Sequence, residues 1–289
     1  MRLAGGFVFL LFLFFSAAGE PCRRRCGGLV VPYPLGFSGS CPIMLSCAVD
    51  DADGGKSTAA LMIGDGGSNA TSSSDSSYSV VSFNQTASTF VVSLRPRCDR
   101  TVSGARRRLS GANYGVTSST GMFLRGGCHG GGGATTAACI VPAEVMSTML
   151  RTVQCPAGEN SSSPALTCVA SMPPNATAAE KGVGLYFERW GEVEEPQCDN
   201  LLTSAFYGVT PDGVFSLELA MAEMGWWLNG SCTAGDGGRC AANATCHDVQ
   251  TPTGGWGHQC RCHAGMDGDG FAAGDGCHFP GAGESSSSL

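Results

Sequence analysis

Residues 232–277 read CTAGDGGRCAANATCHDVQTPTGGWGHQCRCHAGMDGDGFAAGDGC, with cysteines spaced C-x7-C-x5-C-x13-C-x-C-x14-C. A segment of about 50 residues with so few apolar side chains cannot bury enough surface to fold alone. Its six cysteines can form three disulfides, each stabilising by about 2–4 kcal/mol. The stretch therefore predicts a small disulfide-held module, with 15 connectivities open from spacing alone. The cysteines are Cys232, Cys240, Cys246, Cys260, Cys262 and Cys277.

This spacing, with Cys260-Arg-Cys262 and the segment DGDGF at 267–271, resembles an epidermal-growth-factor-like module. Calcium-binding modules of this type carry an acidic cluster before the first cysteine, whereas residues 228–231 read LNGS and have no carboxylate. Hard cations prefer several oxygen ligands, so we expect no calcium. The resemblance implies that the first cysteine pairs with the third, the second with the fourth and the fifth with the sixth: Cys232–Cys246, Cys240–Cys260 and Cys262–Cys277.

Zinc is the alternative use of these cysteines, because histidines lie in and beside the stretch. Structural zinc sites favour C-x2-C pairs with histidines at set distances, and the chain contains no C-x2-C pair. We therefore expect disulfides, no metal and no cofactor. The histidines are His247, His258, His263 and His278.

Residues 1–19 predict a secretory signal peptide, with an uncleaved anchor as the alternative. Arg2 precedes an apolar run from Phe7 to Phe15, which is too short to span a membrane, and residues 16–19 read SAAG. All 16 cysteines follow this segment, an even number as expected where disulfides persist. We therefore expect a secreted protein.

Asn-x-Ser/Thr sequons support export and predict glycosylation. No second apolar run of spanning length follows the first, and the tail 280–289 is polar. We therefore expect an extracellular or cell-wall protein without a membrane span. The sequons are at Asn69, Asn84, Asn160, Asn175, Asn229 and Asn243.

The segment from Cys22 to Cys128 reads as one β-rich unit. The chain has 43 glycines and only 14% charged residues, which predicts short strands, many turns and little helix. Residues 29–31, 79–83 and 89–94 predict strands, and 113–125 could add one or two more. The segments CRRRCGG at 22–28, YPLG at 33–36, LSC at 45–47 and FLRGGC at 123–128 together resemble the extracellular galacturonan-binding domain of plant wall-associated receptor kinases.

The middle segment, 129–227, resembles the cysteine-rich associated domain of the same family. Residues 144–151 could form a short helix. In residues 214–219 apolar and polar side chains alternate, which predicts a strand. We expect the paired Trp226 and Trp227 to fill a domain junction, with sugar stacking as the alternative. Pairing is open for the ten cysteines outside the growth-factor-like stretch: Cys22, Cys26, Cys41, Cys47, Cys98, Cys128, Cys139, Cys155, Cys168 and Cys198.

The expected architecture is mainly β and disulfide-rich. Its order is a signal peptide at 1–19, a galacturonan-binding-like domain at 20–128, the associated domain at 129–227, the growth-factor-like module at 228–279 and a polar tail at 280–289. The family continues into a membrane span and a cytoplasmic kinase, for which this sequence has no counterpart. Neither a kinase catalytic loop nor a nucleophile elbow is present, so we expect no enzyme.

The charge is uneven along the chain. Residues 20–125 hold 11 basic and 7 acidic residues, a net charge of +4, whereas 126–289 hold 5 and 17, a net charge of −12. An arginine guanidinium matches a carboxylate with two hydrogen bonds, and clustered positive charge attracts a polyanion. The resemblance makes pectic galacturonan the expected ligand; a solubilising rim, or a mobile loop at 106–108, is the alternative. The candidate ligand-binding residues are Arg95, Arg97, Arg100, Arg106, Arg107, Arg108 and Arg125.

Two classes of function follow. The first is a secreted or cell-wall polysaccharide-binding protein. The second is a decoy or co-receptor that binds receptor ectodomains or other wall proteins through the growth-factor-like part. A truncated receptor ectodomain also fits the sequence. Nucleic acid is not an expected partner of an exported, net-acidic protein.

Overall fold

A computed structural model describes residues 20–50, 55–62, 78–126, 128, 166–170, 185–209, 215–233 and 239–280. Within these ranges the chain forms 16 strands and two short helices, so the predicted β-rich class is confirmed. The elements are β1 Arg25–Cys26, β2 Leu29–Val30, β3 Leu35–Gly36, β4 Ile43–Asp50, β5 Lys56–Leu61, β6 Val80–Asn84, β7 Thr89–Ser93, α1 Val102–Leu109, β8 Tyr114–Val116, β9 Thr120–Arg125, β10 Leu166–Val169, α2 Trp190–Glu194, β11 Asn200–Val209, β12 Phe215–Leu219, β13 Met221–Trp226, β14 Leu228–Asn229, β15 Ala244–Gln250 and β16 Trp256–Cys262.

The N-terminal segment is a small unit fastened by two disulfides, Cys22–Cys41 and Cys26–Cys47. β1 and β2 form a hairpin, β3 runs parallel to β4, and β4 pairs with β5 in antiparallel fashion. The inner side chains of these strands join the main hydrophobic core. The unit therefore combines covalent fastening with apolar burial.

Two four-stranded sheets follow, with strand orders β6-β7-β13-β8 and β10-β9-β11-β12. The first places Phe90 opposite Met224, and the second places Phe123 opposite both Cys168 and Thr203. β9 is buried on both faces: Met122 and Leu124 enter the main core, and Phe123 enters a second cluster. Full burial of side chains of this size stabilises by about 1.5–3 kcal/mol each.

Strand pairing does not follow the domain boundary expected at 128/129. β13, from the predicted middle domain, inserts between β7 and β8 of the predicted first domain, and β9 pairs with β10 and β11. One core cluster runs from Leu29 to Trp226. The structure therefore folds these two segments together as one unit. A disulfide between Cys128 and Cys198 ties β9 to the segment before β11.

The growth-factor-like module is a three-stranded sheet with strand order β14-β16-β15. Its three disulfides join Cys232 to Cys246, Cys240 to Cys260 and Cys262 to Cys277, the pairs that the resemblance implies. Cys98 and Cys168 are also disulfide-bonded. In total, six disulfides join described cysteines to one another, in keeping with the predicted disulfide-rich class.

Of the paired tryptophans, Trp227 fills the junction between the sheets and this module, as predicted, whereas Trp226 belongs to the main core. Trp226 is fully buried in the main core, where its ring stacks on Phe90 with centroids 6.1 Å apart. Trp227 packs edge-on against Phe187 at 4.7 Å and also contacts Val249 of the module. With both rings buried, neither presents the open face that sugar stacking would need.

Several sequence-based predictions lie outside the described residues. They are the signal peptide at 1–19, the short helix at 144–151, the tail from 281 onward, the sequons at Asn69, Asn160 and Asn175, and the cysteines Cys139 and Cys155. Among the residues that are described, no helix has the length and apolar character needed to cross a membrane.

Candidate functional site

Three of the candidate arginines lie on helix α1, which corrects the alternative of a mobile loop at 106–108. Thr101 caps the helix, because its Oγ1 accepts a hydrogen bond from the Gly104 N–H at 3.1 Å. Val102, Ala105 and Leu109 are buried, and this i, i+3, i+7 spacing fixes one face against the core. The triplet 106–108 is then held on a rigid element.

Arg106 and Arg107 are the exposed members of this triplet. Arg106 donates to both carboxylate oxygens of Glu194 on α2, each at 3.0 Å. Both side chains of that pair are well exposed, and such surface pairs contribute about 0–1 kcal/mol. A carboxylate of a ligand can therefore replace Glu194 at little cost.

Arg108 and Arg100 flank the ring of Tyr78, with the guanidinium carbons 5.0 and 5.4 Å from its centroid. Arg108 is half-buried, and its carbonyl accepts a hydrogen bond from the Tyr114 hydroxyl at 3.0 Å. Burial raises the pKa of Tyr114 to about 12. This side of α1 therefore stabilises the fold.

Arg100 was expected to bind ligand, and the structure contradicts this. It is only 6% exposed, and its guanidinium donates to the carbonyls of Leu201 at 3.5 Å, Leu202 at 3.1 Å and Arg95 at 2.8 Å. A buried guanidinium needs such acceptors, since an unpaired buried charge is costly. Arg100 therefore ties the chain after β7 to β11.

The other candidates are dispersed. Arg97 forms a two-pronged pair with Asp99 at 3.0 and 2.8 Å, which holds the pKa of Asp99 below its ordinary value. Arg95 is exposed after β7, and the half-buried Arg125 ends β9 opposite Asn200. Thr101, which caps α1, forms an isolated β-bridge with Asn200 on the other side of β11. Arg125 and the start of α1 therefore flank the same residue of β11.

The seven arginines therefore do not form one cluster. Arg100 and Arg108 make contacts that stabilise the fold, and Arg97 is paired with Asp99. The exposed pair on α1, with Arg125 near its start, is the part that remains suited to bind an anion.

Sequence reasoning missed a second charged centre, where the N-terminal unit meets the growth-factor-like module. Arg24 binds Asp275 with Nη1 at 3.0 Å and Nη2 at 2.5 Å, and it lies 3.4 Å from Asp269. The hydrogen bond from Arg24 lowers the pKa of Asp275. The only hint in the sequence is the DGDGF segment; nothing in it indicates a partner 245 residues away.

Asp269 is the buried centre of this contact. Its carboxylate accepts four backbone N–H groups, from Phe271 at 3.1 Å, Asp275 at 2.9 Å, Gly276 at 3.2 Å and Tyr33 at 3.2 Å. Burial raises its pKa, and these hydrogen bonds act in the opposite direction. Because the Tyr33 N–H and Arg24 belong to the N-terminal unit, Asp269 joins that unit to the module.

Beside this contact lies a groove of about 470 Å³, which we call the junction groove. Such a volume is within the range of about 300–1,000 Å³ typical of ligand sites. The N-terminal unit and the module each supply part of its wall. It is lined by Tyr33, Pro42, Leu228, Arg239, Ala272 and Ala273.

No group of three or more histidine, cysteine or acidic side chains in the described ranges is arranged to hold a metal ion. Of the sequons within those ranges, Asn84 ends β6, Asn229 ends β14 and Asn243 precedes β15, and all three residues are exposed. Asn84 Oδ1 accepts a hydrogen bond from the Ala87 N–H at 3.0 Å. The three asparagines are therefore accessible to a glycosylating enzyme.

Comparison with known proteins gives two curated relatives. Over 252 residues the chain is 32% identical to wall-associated receptor kinase-like 14 of Arabidopsis thaliana, which covers 87% of this chain and 30% of the relative. Over 272 residues it is 24% identical to wall-associated receptor kinase-like 21 of the same plant, covering 94% of this chain and 36% of the relative. The chain thus spans about a third of the length of these relatives. No family model matches it, and no solved structure matches it.

Proposed function

Because this chain is homologous over most of its length to the wall-associated receptor kinase-like proteins, we propose that it is a wall-polysaccharide-binding ectodomain, and that its ligand is pectic galacturonan. The homology itself supports a wall-associated receptor ectodomain, extracellular in location. Export through the signal peptide, glycosylation and a binding role without catalysis belong to the proposal.

The observation that carries the proposal is the exposed arginine pair on α1. Arg106 and Arg107 are adjacent on a helix whose other face is fixed in the core. Demethylated galacturonan presents a carboxylate on every sugar, and a guanidinium binds a carboxylate with two parallel hydrogen bonds. Two arginines on a rigid element can therefore engage neighbouring carboxylates of one polymer with little loss of backbone entropy.

The surroundings of the pair support the same ligand. The first turn of α1 contains no acidic residue. The nearby carboxylate of Glu194 forms an exposed pair that a ligand can displace. Arg125 ends β9 opposite Asn200, which also pairs with Thr101 at the start of α1. A polyanion that runs along the outer side of α1 would meet these cations in turn.

The test measures binding of the purified, oxidised mature protein to immobilised polygalacturonate across a salt series, with methyl-esterified pectin as the control polymer. We expect binding that is selective for the free acid and that weakens as salt increases, because exposed charges are screened. If each arginine contributes about 1 kcal/mol, the double change Arg106→Gln with Arg107→Gln weakens binding about 30-fold.

Arg25→Gln is the matched control, because Arg25 is an exposed arginine on β1. It should leave the affinity within about twofold of the parent. Equal binding to both polymers, or an equal loss from the control, would show that general basicity rather than the α1 pair is responsible. A correctly oxidised protein that fails to bind at low salt would overturn the proposal.

A further inference from the structure

The junction groove has walls that are mostly apolar. Pro42, Leu228, Ala272 and Ala273 supply apolar surface, whereas Tyr33 and Arg239 supply the polar side chains. The Tyr33 ring is fixed by an edge-on contact with the buried Phe271, at a centroid distance of 5.4 Å. The floor of the groove is thus pre-formed by side chains held in the fold, as is common for ligand sites.

Arg239 gives the groove its charge. The Arg239 side chain is anchored on β14, since Nη1 donates to the Asn229 carbonyl at 3.2 Å. Burial raises the pKa of Tyr33, and the positive charge of Arg239 partly offsets this, as expected for two groups that lie close together. The nearby carboxylates of Asp269 and Asp275 are both bound to Arg24.

An exposed aromatic ring lies on β16, on the same sheet face as one of the groove residues. Trp256 is 60% exposed, although most large apolar side chains in the described ranges are buried. It stands two residues before His258, the strand partner of Leu228. Residues two apart in a strand share a face and lie about 7 Å apart. Trp256 therefore projects from the same sheet face as the groove residue Leu228.

We propose that the junction groove, together with the exposed Trp256 on the same sheet face, binds a short peptide segment in which a carboxylate stands beside an apolar side chain. Trp, Tyr and Arg are the residue types that most often anchor protein partners. Four apolar lining residues suit an apolar side chain, and Arg239 suits the adjacent carboxylate.

A sugar fits this groove less well. The edge of a sugar ring carries several hydroxyl groups, and each one that is buried without a hydrogen bond costs free energy. The side chains that line the groove supply two polar groups for them, Tyr33 and Arg239. The proposed peptide is therefore a ligand distinct from galacturonan, and its site is distinct from the arginine pair on α1.

The test uses saturation-transfer NMR on the oxidised mature protein. The probe is N-acetyl-Gly-Leu-Asp-Gly-amide, the matched neutral probe replaces the aspartate by asparagine, and trigalacturonate is the sugar probe. We expect saturation transfer from the protein to the leucine methyl groups of the acidic peptide at millimolar peptide concentration. The neutral peptide should bind with an affinity at least about fivefold lower.

Two variants locate the site, and a third is the control. Arg239→Gln should weaken the acidic peptide about 10-fold, and Ala273→Phe should abolish binding by filling the groove, at an exposed position where the larger side chain is tolerated. Arg107→Gln should leave peptide binding unchanged, which separates this proposal from the one for α1. The inference is overturned if neither peptide binds, if both bind equally, if neither groove variant has an effect, or if trigalacturonate displaces the peptide from the groove.

Discussion

Replacing Asp269 by alanine should loosen the growth-factor-like module from the rest of the protein. The side chain is fully buried, and its carboxylate serves four backbone N–H groups and Arg24. A hydrogen bond to a charged group contributes about 1.5–3 kcal/mol, but such terms are not additive within one network. Removing one member of a buried charged contact costs about 3–5 kcal/mol, because its partners remain buried without it. We therefore expect Asp269→Ala to lower the free energy of unfolding by about 4 kcal/mol.

The assay is denaturant unfolding of the oxidised protein, followed by tryptophan fluorescence. Trp226 and Trp227 are suitable reporters, because both are buried: Trp227 packs where the module joins the sheets, and Trp226 lies in the main core. At about 2–4 °C per kcal/mol for a chain of this size, the matching change in Tm is a decrease of about 10 °C. Asp269→Asn should cost less, since its amide oxygen still accepts hydrogen bonds.

Asp267→Ala is the control, because Asp267 lies two residues away in the same segment and is exposed. Its backbone pairs with His278, and an alanine preserves that pairing. We expect a change within about 0.5 kcal/mol. A comparable loss of stability in both variants, or no loss at Asp269, would refute the view that this carboxylate joins the two units.

Further expectations concern other contacts. Arg100→Gln should cost about 2–3 kcal/mol in denaturant unfolding, since it removes a buried guanidinium that serves three carbonyls; Arg95→Gln, at an exposed position, should be nearly neutral, and equal effects would contradict the assigned roles. Trp227→Ala should cost about 3–5 kcal/mol by leaving a cavity against Phe187; a smaller loss would mean that the junction collapses to fill it. The pKa of Asp275 is lowered in the folded protein, so its contribution to stability is fully present above the unfolded value of about 3.9 and is lost as pH falls through the lower pKa of the folded state. Arg24→Gln should therefore flatten the acid limb of the stability–pH curve, and an unchanged limb would argue against this contact.

Local patterns were sufficient to predict some of the strands, whereas others, such as β4, β11 and β16, were not predicted. Alternation and β-branched residues placed strands at 79–83 and 89–94, each within one residue of β6 and β7 at both ends. The strand predicted at 214–219 corresponds to β12. These elements are visible because side-chain periodicity is a property of consecutive residues.

Non-local pairing could not be predicted in the same way. Nothing near Thr89 indicates that its strand partner is Gly225, so the boundary drawn at 128/129 divided strands that share a sheet. The charge of the arginines was likewise insufficient to predict which of them are exposed to a ligand. The sequence shows that Arg100 and Arg107 are both cationic, but only the packing of β11 against the chain after β7 makes one buried and the other exposed.

The insertion of β13 between β7 and β8 has a consequence for synthesis of the chain. Thr89 pairs with Gly225, more than 130 residues later, so the first large sheet stays open until residue 226 has emerged from the ribosome. Such distant pairing slows folding and leaves apolar strand edges exposed in the meantime. Folding of the large sheets should therefore be completed only after residue 226 has been synthesised. A fragment that ends at residue 128 lacks the partner strand that covers Phe90, and we expect it to aggregate.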